Sequence, residues 1–329
     1  MRVLFVGGTG NISPACVDLA AARGYETYVL NRGTHMDRVS PKAQLLKADY
    51  NDEKAVEKVL SGLAFDVVAD FRIFTAEDMK KAIRLFGDRT KQYIYISSAT
   101  VYTKPAEKFP ITEDASLGNP LSAYAQNKLA AENTLREAVF CGFPGVIVRP
   151  SLTYADWNPI MSLGGKMPYD VIHRMREGKE IVVQGDGTSL WTITHNTDFA
   201  KGFVGLFGNE KAVGEAFHIT TDEVLDWDRI YTALGKAAGV DIKIVHIATD
   251  RICEMFPEKK EGLLGDHSQS AVFDNSKIKR FVPDFRCTVP FAEGARRAVR
   301  WFDADPARRI CDAEFDAAMD KLIRTHSPA

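Results

Sequence analysis

The sequence predicts an α/β protein: a doubly wound parallel sheet followed by a smaller C-terminal α/β lobe. Three observations predict it. Short, almost continuously apolar runs alternate with longer amphipathic ones through the first half. A glycine-rich turn stands at the end of the first apolar run, and beyond Arg149-Pro150 the alternation loosens into loops and shorter elements. Strand–helix alternation requires crossover connections, which are right-handed and leave the strands parallel.

The apolar runs at 3–6, 27–30, 44–47, 67–69, 93–97 and 146–148 are rich in Val, Ile, Leu and Tyr, as strands covered on both faces must be. Helical stretches at 14–23, 53–60, 76–86 and 123–140 lie between them. In the second half, loops around Trp157, Gly164-Gly165 and Gly185-Asp186-Gly187 separate short elements, and the chain turns helical again from about residue 290. No internal repeat, low-complexity tract or charge block interrupts this order.

Composition narrows the class. Hydrophobic residues at 45% and charged residues at 26% are those of a soluble globular protein. Forty-two basic against forty-four acidic side chains give a net charge of −2, so nothing electrostatic draws the chain to nucleic acid or an anionic membrane. No apolar run reaches the roughly 18 residues that span a bilayer. The five cysteines are scattered and never spaced C-x-x-C, which predicts small buried hydrophobes in a reducing cytoplasm, with no disulfide framework and no metal. Strand-like residues begin at Arg2, leaving no room before them for a leader.

Gly7-Gly8-Thr9-Gly10-Asn11-Ile12-Ser13 falls where a strand ends and a helix begins. Glycines at 7 and 10 let the backbone turn tightly against a pyrophosphate, toward which the helix start aims free N–H groups. Ser13 replaces a third glycine and is small enough to keep helix and strand close. These positions, with Thr9, Asn11 and Ile12, form the candidate dinucleotide site. At the end of the second strand an acidic residue would bind ribose hydroxyls. Here stand Asn31 and Arg32, and a guanidinium pairs with a 2′-phosphate, so NADP(H) is favoured over NAD(H). An ordinary surface arginine is the other reading. Asp49, beside Tyr50, is placed to accept from an adenine amino group, or else serves as a turn or helix-cap residue.

Tyr124 and Lys128 stand at i and i+4, on one face of a helix. A free phenol titrates near 10, too high for a base at neutrality. An ammonium about 4 Å away is worth about 4 kcal/mol at an effective dielectric near 20, which would bring the phenol near 7. There it can exchange protons with an alcohol or carbonyl. The preceding strand opens at Ser97-Ser98-Ala99-Thr100 into hydroxyl-bearing residues, 26 positions from Ser98 to Tyr124.

These stretches, together with Val148-Arg149-Pro150, Gly185-Asp186-Gly187-Thr188 and His195 to Ala200, resemble the extended short-chain dehydrogenases, specifically the NAD-dependent epimerase/dehydratase family. The resemblance implies a Rossmann domain over 1–165, to which a segment near 194–220 returns, and a substrate lobe over 166–329. It implies an enzyme acting on a hydroxyl or keto group of a small-molecule substrate. Tyr124 would be acid/base and Lys128 would hold the nicotinamide ribose. Ser98 would orient the substrate oxygen, with Thr100 nearby and Pro150 lining the cofactor. It also implies a homodimer. Some proteins resembling this chain bind RNA, which makes a non-catalytic dinucleotide sensor the alternative.

The pattern departs where nucleotide-sugar enzymes carry arginines. Trp191 occupies the position after Gly-Asp-Gly-Thr, and Leu263-Leu264 precede Gly265-Asp266. Trp191 reads either as core or as a stacking wall of the substrate pocket. Lys259, Lys260 or Arg251 could supply a missing charge, and Thr103 stands where the family has glycine.

Overall fold

The computed structural model describes residues 1–159 and 161–326. The first half builds β1 (Arg2–Val6), α1 (Ser13–Ala22), β2 (Glu26–Asn31), β3 (Gln44–Lys47), α2 (Glu53–Leu60), β4 (Val67–Asp70), α3 (Ala76–Phe86), β5 (Tyr93–Ile96), α4 (Ala123–Phe140) and β6 (Gly145–Arg149). The second adds β7 (Thr153–Tyr154), α5 (Asp170–Arg176), β8 (Glu180–Gln184), β9 (Leu190–Trp191), β10 (Thr194–His195), α6 (Asn196–Gly205), β11 (Ala216–His218), β12 (Leu225–Asp226), α7 (Trp227–Ala238) and β13 (Lys243–Ile247). Helices Phe291–Asp303 and Ala313–His326 follow.

The central sheet has seven strands in the order β11-β6-β5-β4-β1-β2-β3, all parallel. Successive strand residues point to opposite faces, which explains its two cores. Val3, Phe5 and Val29 join one face with Phe203 of α6, while Leu4, Val6 and Leu30 join the other with Leu135 of α4. Both faces are apolar, so the strands read as unbroken hydrophobic runs. Outside this sheet, β8 pairs with β13, β9 with β12 and β7 with β10, over a separate core containing Trp227, Tyr231 and Phe291.

Helix starts are capped by their own sequence. Asp52 caps α2, Ser122 caps α4, and Thr75 with Asp78 forms a reciprocal capping box on α3. Asp49 therefore does not cap α2; its carboxylate accepts from the Asn51 N–H at 2.9 Å and closes a turn.

Strand β4 ends on a fully buried carboxylate. Asp70 accepts from the hydroxyls of Tyr93 (2.8 Å) and Tyr50 (3.2 Å) and from the Arg72 N–H (2.8 Å). Burial nevertheless raises its pKa to about 6. A folded-state value above the unfolded one, about 3.9, means that its stabilising contribution is complete below about pH 4 and is lost as pH rises through 6. Asp70→Asn is expected to flatten the dependence of stability between pH 4 and 7, by up to about 3 kcal/mol. Urea unfolding of both proteins across that range checks it. A pH-independent difference between them would contradict the assignment.

Candidate active site

The strand order turns back at β1, with β2 and β3 laid on one side and β4, β5 and β6 on the other, and open α/β sheets bind ligands in the crevice at such a point. A cleft of about 610 Å³ opens there. Gly7, Thr9, Gly10, Asn11, Ile12, Asn31, Arg32, Asp49, Tyr50 and Pro150 all line it, as do Ser98, Thr100, Tyr124, Lys128 and Trp191. The candidate cofactor and catalytic residues thus face one cavity, together with Thr100 and Trp191.

The glycine turn fits a pyrophosphate. Gly7 takes φ +80°, and a side chain at Gly8 would come within 2.9 Å of Val29. The space over Gly10 is open, its closest neighbour being the Ser13 hydroxyl at 3.6 Å. Ser13 fastens the turn by donating to the Gly7 carbonyl (3.0 Å) and accepting from the Gly10 N–H (3.1 Å). This explains how serine replaces the third glycine. Among the described residues no side chain caps α1, so the N–H groups of its first turn, other than at Pro14, which has none, are left for an anion. Asn11 Oδ1 is buried without a partner among the described residues. Asn31 is committed to the loop itself, accepting from the Gly33 N–H at 2.7 Å. Arg32 is exposed at the rim.

At the other end, Lys128 is buried and donates to the carbonyls of Ile73 (2.6 Å) and Ile96 (2.8 Å). Its ammonium lies 5.7 Å from the Tyr124 ring centre. One expectation is corrected here. The phenol is not brought toward 7: burial holds it above its ordinary value, with Asp266 adding to the rise and the Ser98 hydroxyl opposing it. Lys128 itself is lowered to about 8, because burial outweighs the carboxylates around it. Tyr124 as a whole residue is 41% exposed.

The substrate end contains a network that sequence reasoning missed. Ser98 donates to Thr100 (3.0 Å), and Thr100 donates to Asp266 (3.1 Å). Lys104, with its side chain 2% exposed, pairs with Asp266 at 3.0 Å and lies 5.5 Å from the Trp191 ring centre. Lys104 is therefore the cation beside Trp191. Lys259 donates instead to the Gly164 carbonyl (2.8 Å), Arg251 pairs with Glu254, and none of Lys259, Lys260 and Arg251 lines the cleft. Trp191 satisfies both of its readings in part. It is 2% exposed and packs on Trp227 and His267, yet it belongs to the cleft wall, and its indole N–H has no partner among the described residues.

The second lobe also holds the helix that carries Tyr124. Glu261 accepts from the Tyr124 N–H and the Ser122 hydroxyl, both at 2.8 Å, and these bonds hold its carboxyl below the usual range. Asn119 donates to the Gly265 carbonyl at 2.7 Å.

A parallel doubly wound sheet, a pyrophosphate-shaped turn at its switch point and a tyrosine, lysine and serine at the far end of one cleft define a class, the NAD-binding epimerases, dehydratases and reductases. The chain belongs to the NAD dependent epimerase/dehydratase family, whose model matches residues 3–220. It is 26% identical over 292 residues to 2'-dehydrokanamycin reductase of Streptomyces kanamyceticus, spanning 87% of this chain and 80% of that one. It is 29% identical over 261 residues to chloroplast stem-loop binding protein of 41 kDa b of Arabidopsis thaliana, 74% of this chain and 65% of that one. A solved epimerase from Methanothermobacter thermautotrophicus superposes with a TM-score of 0.76 at 17% identity over 93% of each chain, a likeness of fold alone.

Proposed function

We propose that the protein is a dinucleotide-dependent oxidoreductase acting on a hydroxyl or keto carbon of an uncharged or weakly charged sugar-like or polyol substrate. NADP(H) is favoured over NAD(H). The observation that carries this is the convergence of Ser98, Tyr124 and Lys128 on the cleft that holds the glycine turn. A bound dinucleotide would supply or accept the hydride. The chain's own residues manage the proton. Ser98 donates to Thr100 and accepts from the Thr100 N–H; its hydroxyl rotates, and turned toward the cleft it would donate to the substrate oxygen. A phenol held above its ordinary pKa stays protonated at neutrality, ready to donate to a carbonyl oxygen as it is reduced. Lys128, anchored on two carbonyls, keeps a third donor for a ribose hydroxyl.

Among the described residues the substrate end has no uncommitted cation. The cleft's basic residues are Arg32, Arg72 and Lys128, and Lys104 behind the wall is spent on Asp266. A diphosphate stripped of water there would meet Asp266 and an indole instead of guanidiniums, which is unfavourable. Residues 1–165 would hold the cofactor and 166–329 the substrate, in a cytoplasmic homodimer. The likeness to a stem-loop binding protein favours RNA association as a second reading, but the intact tyrosine, lysine and serine support catalysis first.

Calorimetry tests the proposal. NADP⁺ is expected to bind more tightly than NAD⁺, with Arg32→Ala weakening NADP⁺ by about 1.5–3 kcal/mol. UDP-glucose and dTDP-glucose are expected to bind the loaded protein poorly. A preference for NAD⁺, or micromolar affinity for either nucleotide sugar, would overturn the corresponding part.

A further inference from the structure

We propose that Arg72 is a ligand of the cofactor's pyrophosphate, reaching over the glycine turn from the end of β4 to the phosphate on the nicotinamide side. The inference rests on the reading that this cleft binds a dinucleotide. Arg72 follows the last residues of β4, and its backbone is fixed at that place. The Phe71 N–H donates to the Val6 carbonyl at 3.0 Å and the Arg72 N–H to Asp70 at 2.8 Å. From there its stem crosses the first glycine of the turn. A Cβ on Gly7 would lie 2.8 Å from Arg72 Cγ and 2.9 Å from Cδ, so glycine at 7 leaves room for this arginine as well as for the turn.

The guanidinium ends 5.7 Å from the Phe74 ring centre, and the Lys128 ammonium approaches the same ring to 4.8 Å. Arg72 thus bridges the stretch between the glycine turn and Lys128, where a dinucleotide must pass its second phosphate. Among the described residues its guanidinium has neither an ion-pair nor a hydrogen-bond partner. The other two cations of the cleft are placed differently. Lys128 is held by carbonyls, and Arg32 follows β2 on the side of the adenosine. A helix start offers about half a charge to an anion. Two phosphates call for more, and a guanidinium fork supplies it through paired, charge-assisted bonds.

Calorimetry of the full chain and its Arg72→Ala and Arg72→Lys variants with NADP⁺, ADP-ribose and 2′,5′-ADP is the test, with melting temperatures measured alongside. Arg72→Ala should weaken NADP⁺ and ADP-ribose on the order of 10- to 100-fold. It should change 2′,5′-ADP, which lacks the second phosphate, by no more than about 2-fold, the scale of a surface substitution. Arg72→Lys should recover part of the loss, keeping the charge without the fork. Unchanged or tighter NADP⁺ binding in Arg72→Ala would show that the stem merely fills the turn, and overturn the assignment. So would an equal loss for 2′,5′-ADP. If wild type binds none of the three ligands, the dinucleotide reading itself falls and takes Arg72 with it, a result distinct from either of those.

Discussion

Tyr124→Phe is expected to lower turnover by roughly 10²- to 10⁴-fold while leaving the melting temperature and NADP⁺ affinity close to wild type. The substitution removes one hydroxyl from a residue that is 41% exposed, so little packing is at stake. What it deletes is the hydroxyl that, in the proposed mechanism, gives its proton to the carbonyl oxygen. In free energy the loss is about 3–5 kcal/mol of barrier. Steady-state oxidation of NADPH with a keto substrate of the proposed class measures it. Wild-type turnover in Tyr124→Phe would remove the tyrosine from the mechanism. A large fall in cofactor affinity would show it acting as a binding group instead.

Glu132→Ala is expected to destabilise the fold by about 3–5 kcal/mol, the range for stranding a buried charge. Glu132 on α4 and Arg149 at the end of β6 are both fully buried, joined through two bonds of 2.9 and 2.6 Å. The same carboxylate accepts from Ser97 at 2.6 Å, and Arg149 also donates to the Tyr102 hydroxyl at 2.7 Å. Tyr102 in turn meets His218 on β11, whose pKa burial lowers to about 3, so the imidazole stays neutral at physiological pH. Removing Glu132 leaves a guanidinium in the sheet's interior with no counter-charge. Chemical denaturation gives the number. The paired substitution Glu132→Leu with Arg149→Met should cost less than the two singles added together, since it strands nothing. Additive losses would mean that the pair acts through packing alone.

The first half of the fold was legible because its strands are covered on both faces. The predicted runs at 3–6, 44–47 and 93–97 differ from the observed strands by a residue at most at either end. Strand β11 carried little signal, being three residues long and ending on His218, whose burial depends on partners distant in sequence. The glycine turn and the candidate catalytic face of α4 were legible because their pattern is local, with glycines side by side and a tyrosine one helical turn from a lysine. Lys104 was not, since a lysine after Thr103 looks like a surface residue until the fold sets it against Asp266. Arg72 was equally silent, although it follows β4 much as Asp49 follows β3. The phenol's pKa was misjudged for a related reason. Spacing along a helix gave the approach of Lys128, but not the dryness of the wall or the carboxylate of Asp266.

Glu261 makes the two lobes thermodynamic partners. Its carboxylate, from the second lobe, terminates the helix on which Tyr124 sits, and Asp266 a few residues later terminates the hydroxyl chain that begins at Ser98. If residues 261–266 move as one piece, a molecule bound against Asp266 would stabilise the placement of Tyr124 as well. By reciprocity, whatever orders the start of α4 must tighten the hold on that molecule by the same free energy. In the proposed reaction, affinity for substrate and readiness of the acid would then be one quantity measured at two places.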